Sequence, residues 1–99
     1  MSHNNHEWVD GRLLQTDKRF SQLKQTQRER INGWLYWEYR TVFEQLGVAP
    51  DARYNARILD AVYIKIQEAQ IWVPFGEVAR YFYSRKNVFR KRYLKERDQ

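Results

Sequence analysis

Cysteine is absent from the 99-residue sequence, which excludes disulfide bonds and thiolate metal sites. Long apolar runs are missing as well, since none approaches the ~18 residues that indicate a membrane span. The N-terminal residues lack the apolar region of a secretory signal peptide, so a cytoplasmic location is the simplest expectation. There is also no glycine-rich loop of the kind that binds phosphate.

Residue types that usually build active sites are sparse. Both histidines, His3 and His6, lie in the polar N-terminal segment, without the cysteines or paired carboxylates that would complete a metal site. The carboxylates Asp60, Glu68 and Glu77 are isolated among cations. We therefore predict no catalytic residue, no metal and no cofactor, and we expect that the protein is not an enzyme.

Aromatic residues make up 16% of the chain and hydrophobic residues 42%, enough for one modest core in which large rings dominate the packing. We expect residues 1–15 to form a flexible N-terminal tail and arm, and residues 16–99 to form a single helical domain. The pair Asp10-Gly11 fits a hairpin turn. Its flanks are short for a sheet, which favours an arm that lays Trp8 on the helical body.

The apolar spacing predicts an all-α fold, a compact bundle of four to five helices. The first is a short helix that carries Phe20. A long central helix follows, from about Gln27 to Leu46, because Thr26 and Glu29 have the form of a capping box. We expect the glycine that follows Leu46 to end this helix.

Two residues of the central helix do not follow its apolar pattern. Gly33 lacks a side chain and is expected to permit close approach of a neighbouring backbone. Trp37 falls outside the apolar arc. Either the N-terminal arm covers it, which we favour, or it is exposed as a partner-binding residue.

The next helix shows the cleanest helical periodicity of the chain. Asp51 is a good N-cap for it, and the helix is predicted to run to about Ala69. Pro74 then suits the start of a further helix, and Glu77 matches the positive end of that helix dipole.

Positive charge is concentrated at the C-terminal end. The whole chain carries +6, and residues 85–99 hold seven Lys or Arg against two acids, a net +5. The other 84 residues are nearly neutral, with 11 cations and 10 acids. This distribution favours a polyanionic partner, although a basic helix that is merely solvated is an alternative.

The spacing of residues 74–97 resembles a helix-turn-helix. Val78, Ala79, Phe82 and Phe89 are spaced like its inner positions, with the turn beginning at Ser84. The second helix would then be held nearly perpendicular to the first and could enter the major groove of DNA.

The predicted turn and second helix carry the candidate nucleic-acid-binding residues, which are Arg85, Lys86, Asn87, Arg90, Lys91, Arg92 and Lys95. Of these, Asn87, Lys91, Arg92 and Lys95 lie on the side away from the apolar residues. Asn87 is the candidate for adenine, because its amide both donates and accepts. Arg90 lies closer to the apolar residues and is expected to reach round to a phosphate or to snorkel.

These features predict a small basic helical protein that binds nucleic acid, double-stranded DNA in preference to RNA. A transcription regulator or a phage or mobile-element accessory factor would fit, acting as a homodimer or beside a protein partner because one helix buries little surface. Two alternatives remain open. One is an RNA-binding module, and the other is a protein–protein interaction adaptor that uses the aromatic face of the central helix.

Overall fold

The computed structural model describes residues 18–98 and, for the backbone alone, residues 6–9 and 12–15. Strand β1 (His6–Val9) pairs antiparallel with strand β2 (Arg12–Gln15), with Trp8 opposite Leu13. This pairing matches the hairpin alternative and not the favoured arm without strands. The predicted packing of Trp8 on the body, the flexibility of the tail and the side chains of both histidines lie outside the described part.

Three α-helices form the body that is described: α1 (Gln25–Leu46), α2 (Asn55–Glu68) and α3 (Phe75–Arg97). The prediction of an all-helical bundle is confirmed, but the prediction of four to five helices is wrong. The segment Phe20–Gln22 forms only a 3-10 turn. The two helices predicted for the C-terminal quarter are one continuous helix.

Local signals set most of the helix ends. Gly47 ends α1 with a left-handed backbone, φ 76°, which glycine adopts without steric cost. The side chain of Asp51 accepts from the backbone N–H of Arg53 at 3.0 Å. It therefore caps the 3-10 turn Ala52–Tyr54 and not α2 as predicted, since α2 begins only at Asn55. The start of α1 differs from the prediction, because the backbone N–H of Lys24 donates to Oε1 of Gln27 at 3.3 Å. The helix therefore begins two residues earlier.

Cross-helix contacts give the direction of each helix. The Lys65–Glu38 ion pair, 3.5 Å from Nζ to Oε1, brings the last part of α2 against the middle of α1. At the other end of α2, Lys86 of α3 donates to Asn55 at 2.8 Å. The start of α2 also meets the end of α1, where Arg57 donates to Gln45 at 2.9 Å, and its second half meets the start of α3, where Tyr63 contacts Phe75. Helix α2 is therefore antiparallel to both neighbours, and α1 and α3 run in the same direction.

The core is aromatic, as the composition predicts. The ring of Tyr39 on α1 lies 6.5 Å from Phe82 and 6.0 Å from Phe89 between centroids. Leu59 on α2 and Val73 of the connecting segment are buried in the same cluster. Each large side chain buried in this way contributes about 1.5–3 kcal/mol, which fixes one face of α3 against the rest of the body.

The predicted turn that begins at Ser84 does not occur, and this corrects the helix-turn-helix prediction. No glycine or proline lies between Gly76 and the end of α3. The hydroxyl of Ser84 donates to the carbonyl oxygen of Tyr81 at 2.6 Å, so it is satisfied within the helix. Phe82 and Phe89 are seven residues apart, which places them on the same side of one helix, and both rings enter the same core.

Candidate nucleic-acid interface

Burial of one side of α3 determines which of its residues face solvent. Val78, Phe82, Phe89 and Tyr93 are buried and fall within about 60° of one another at 100° per residue. The opposite side of the helix therefore points away from α1 and α2.

The solvent side of α3 is a basic strip, which we call the outer face. Its exposed members are Arg80, Tyr83, Asn87, Arg90, Lys91 and Lys95. From the first to the last of these the helix rises about 22 Å at 1.5 Å per residue. Since no turn interrupts α3, these side chains keep a fixed register along one rigid helix.

The outer face carries cations that no acid neutralises. Between Glu77 and Glu96 the sequence contains no Asp or Glu. Both flanking acids are engaged elsewhere, since Glu77 accepts from the backbone N–H of Phe20 at 2.9 Å and Glu96 accepts from Tyr36. Within the described residues, the four cations of the outer face make no ion pair.

Four of the seven predicted nucleic-acid-binding residues lie on this outer face, namely Asn87, Arg90, Lys91 and Lys95. Arg90 is exposed, so its side chain reaches solvent directly and does not have to snorkel or reach round the helix.

The other three predicted residues are held by the body of the protein. Lys86 donates to Asn55, and burial lowers the pKa of its ammonium group, an effect that Asp51 partly opposes. Arg92 lies with its guanidinium carbon 3.9 Å from the ring centroid of Tyr36 and pairs with Glu96 at 3.3 Å.

Arg85 is the third of these residues, and it lies beside the outer face. Its side chain is half-buried, with the guanidinium carbon 6.0 Å from the ring centroid of Phe89. It lines a cleft between α3, α1 and the Phe20–Gln22 turn, and so does not belong to the outer face.

The network around Glu96 anchors the C-terminal end of α3. Burial and the hydrogen bond to Glu96 raise the pKa of Tyr36 to about 12. The same hydrogen bond, with Arg92 and Arg40 nearby, lowers the pKa of Glu96 below its ordinary value. Arg40 completes the network with an ion pair to Glu96 at 3.3 Å.

Arg80 is the cation of the outer face that the sequence analysis missed. The helix-turn-helix prediction places Arg80 on the helix before the turn. Its side chain is then expected to point in a different direction from those of the basic residues after the turn. In a continuous helix Arg80 and Asn87 are seven residues apart, hence on the same side. The lack of any glycine or proline between them was the available signal.

Trp37 is exposed, with 59% of its surface accessible. The packing of the arm on the body lies outside the described residues, so the expectation that the arm covers Trp37 stays a prediction. The guanidinium carbon of Arg40 lies 5.9 Å from the ring centroid of Trp37. Gly33 departs from expectation, since no atom other than those of its chain neighbours and its own helix backbone lies within 4 Å of the position that a Cβ would take.

The described residues were also compared with the requirements of a metal site and of a membrane span. They contain no group of three or more His, Asp or Glu placed to hold a metal ion. No helix among them has an apolar stretch long enough to cross a membrane.

Comparison of the chain with protein-family models, with characterised proteins and with solved structures finds no match.

Proposed function

We propose that this protein is a non-enzymatic, nucleic-acid-binding protein that places the outer face of α3 in the major groove of double-stranded DNA. The observation that carries the proposal is a set of four cations on one side of a rigid helix, which make no ion pair in the part of the chain that the structure describes, together with Asn87 on the same side. A transcription regulator or an accessory factor of a phage or mobile element would use such a surface.

The dimensions of α3 support a duplex partner. A helix with its side chains is about 10–12 Å across, and the major groove of B-form DNA is about 12 Å wide. Continuous basic helices are one of the established ways to fill this groove. The major groove of duplex RNA is deep and narrow, so we expect duplex DNA to bind more tightly than duplex RNA.

Within the proposed complex, the residues of the outer face have different roles. Arg80, Arg90, Lys91 and Lys95 would contact phosphates or base edges. Asn87 would contact an adenine through its amide. One helix covers few base pairs, so a homodimer or a protein partner would extend the contact.

A salt titration of binding to labelled duplex DNA tests the proposal. Four neutralised phosphates predict a slope of log K against log salt of about −3.6. Replacing Arg90, Lys91 and Lys95 together by Gln should weaken binding strongly and reduce the magnitude of the slope by about 2.7.

The matched control for this titration removes the same charge from another surface. Replacing Arg53, Arg57 and Lys65 by Gln should leave the slope nearly unchanged, because these residues lie on or just before α2. Equal loss of affinity in both triple variants, or no duplex binding at about 50 mM salt, would reject the proposal.

A protein–protein interaction adaptor is the second candidate, and the exposed Trp37 favours it. Aromatic residues, Trp above all, are enriched among the residues that dominate binding energy at interfaces. This candidate predicts a stable dimer or heterocomplex that the Trp37→Ala variant loses and that the triple variant of α3 retains. Sizing of both variants distinguishes it from DNA binding.

A further inference from the structure

Beside the outer face, a cleft of about 610 Å³ opens between α1, α3 and the Phe20–Gln22 turn. Its wall is a stacked pair of rings, Phe20 and Tyr81, whose centroids are 4.0 Å apart with an interplanar angle of 17°. The hydroxyl of Tyr81 donates to Oδ1 of Asn32 at 2.7 Å. The volume lies within the range of small-molecule sites, roughly 300–1,000 Å³.

Two guanidinium groups line this cleft, those of Arg28 on α1 and Arg85 on α3. Neither makes an ion pair within the described residues. The Nε atom of Arg85 is buried without a hydrogen-bond partner, which costs free energy that a bound acceptor group would offset once the side chain turned toward it.

The positive charges of both cations also act on one neighbour, the hydroxyl group of Tyr81. Burial raises the pKa of the Tyr81 hydroxyl, and the positive charges of Arg85 and Arg28 both act to lower it. A bound anion near that hydroxyl would be favoured by the same two positive charges.

The carboxylate of Glu29 also lines the cleft, and its repulsion has to be considered. Its Oε1 atom accepts from Nε2 of Gln25 at 3.0 Å, and both residues are exposed. Two cations against one acid leave the cleft with a net positive charge.

We infer that this cleft binds a phosphate group, with Arg28 and Arg85 as its charged ligands and Ser21 as a neutral hydrogen-bonding group. Guanidinium groups bind phosphate through paired N–H donors. The phosphate belongs to a small phosphate ester or to a nucleic-acid strand. The site is separate from the outer face of α3 and does not depend on the proposed binding to duplex DNA.

Titration of the isotope-labelled protein with inorganic phosphate, followed by backbone amide NMR, tests the inference. We expect saturable shifts at Ser21, Asn32 and Tyr81. The variants Arg28→Gln and Arg85→Gln should each weaken binding roughly tenfold, as expected for loss of one charge-assisted contact. The control is Arg57→Gln on α2, which removes one charge from a different surface.

Further arms identify the source of the phosphate. They use adenosine monophosphate, a single strand with a 5′-phosphate and the same strand with a 5′-hydroxyl. Tightest binding of the mononucleotide indicates a small ester, and preference for the phosphorylated strand indicates a strand end. Equal binding of the two strands, more tightly than the mononucleotide, indicates a backbone phosphate. Each of these results supports the site if Arg28→Gln weakens it.

Two results would overturn the inference: no saturable shift with any of these probes, or equal affinity in Arg28→Gln and Arg57→Gln. Because Arg85 is half-buried, Arg85→Lys provides a variant that keeps the charge if Arg85→Gln lowers stability. The Arg90, Lys91 and Lys95 triple variant should retain phosphate binding in the cleft. A failure of the cleft and a failure of duplex binding are therefore distinguishable.

Discussion

At the scale of single residues, Tyr36 shows how α1 holds the basic end of α3. Its hydroxyl donates to Glu96, and its ring supports the guanidinium of Arg92. A tyrosine that loses its proton can no longer donate this hydrogen bond. The contact therefore makes stability depend on pH at both ends of the range.

We expect stability to fall as pH rises from about 10 to about 12, because the folded state keeps the Tyr36 proton up to a pKa of about 12 while the unfolded chain releases it near 10. On the acid side, the pKa of Glu96 is lowered in the folded state. Ionised Glu96 therefore contributes stability above about pH 4.3, and this contribution is lost as the pH falls through the folded-state pKa. In the Tyr36→Phe variant, the loss of stability at alkaline pH and the loss at acid pH should both be smaller.

Denaturant unfolding at a series of pH values measures this effect. Tyr83→Phe is the control, because Tyr83 is 54% exposed and should keep the wild-type dependence. Identical alkaline and acid limbs in Tyr36→Phe and Tyr83→Phe would contradict the assignment.

Replacing two glycines by alanine is expected to change the free energy of unfolding in opposite directions. Gly33 is an exposed position inside α1 with open space around it, so Gly33→Ala should raise the free energy of unfolding by about 0.5–1 kcal/mol. Gly47 has φ 76°, and Gly47→Ala should lower it by about 1 kcal/mol because a Cβ strains that conformation. Thermal and denaturant unfolding of both variants checks the difference in sign.

At the scale of elements, the continuity of α3 is the decisive feature. A helix-turn-helix would aim its second helix in a new direction and leave Arg80 on the first. One continuous helix instead lines up Arg80 with Asn87 and Lys91 on the same side. The basic surface is therefore longer than the predicted recognition helix.

Substitution of Ser84 distinguishes the two arrangements. In the interior of a helix, glycine is about 0.8–1.0 kcal/mol less favourable than alanine. Ser84→Ala should therefore be more stable than Ser84→Gly by about 1 kcal/mol, as measured by denaturant unfolding. A turn with left-handed backbone at this position would reverse the order, and that reversal would contradict a continuous α3.

At the scale of the whole molecule, the basic helix and the aromatic core form one unit. Phe89 is buried between Tyr36, Tyr39 and Phe82, so the end of α3 that carries most of the charge is packed on α1. We expect loss of this ring to affect the entire domain.

Phe89→Ala should lower the free energy of unfolding by about 3–5 kcal/mol, because it removes a large side chain and leaves a cavity. Val88→Ala is the neighbouring control, since Val88 is 42% exposed, and its effect should stay within about 0.5 kcal/mol. Unfolding followed both by far-ultraviolet circular dichroism and by NMR signals of α3 should give one transition. A transition of α3 at lower denaturant than the rest would show that the helix is not part of the cooperative core.

Much of this arrangement was readable from the sequence, because its signals act over a few residues. Gly47 and Asp51 determine how α1 ends and the next segment starts through backbone conformation and one side-chain hydrogen bond. The apolar period correctly predicts a helix that ends close to Ala69, since α2 ends at Glu68. The concentration of cations beyond Arg85 is a property of composition alone.

The tertiary structure decided what these local signals leave open. The spacing from Phe82 to Phe89 fits two helices pinned across a turn and also two turns of one helix, and only their joint burial against Tyr39 selects the second. In the same way, Lys86 and Lys91 are alike in sequence. Packing against α2 gives Lys86 a hydrogen-bond partner in Asn55 and leaves Lys91 in solvent. The reason is that the direction of a side chain depends on which face of its helix is buried.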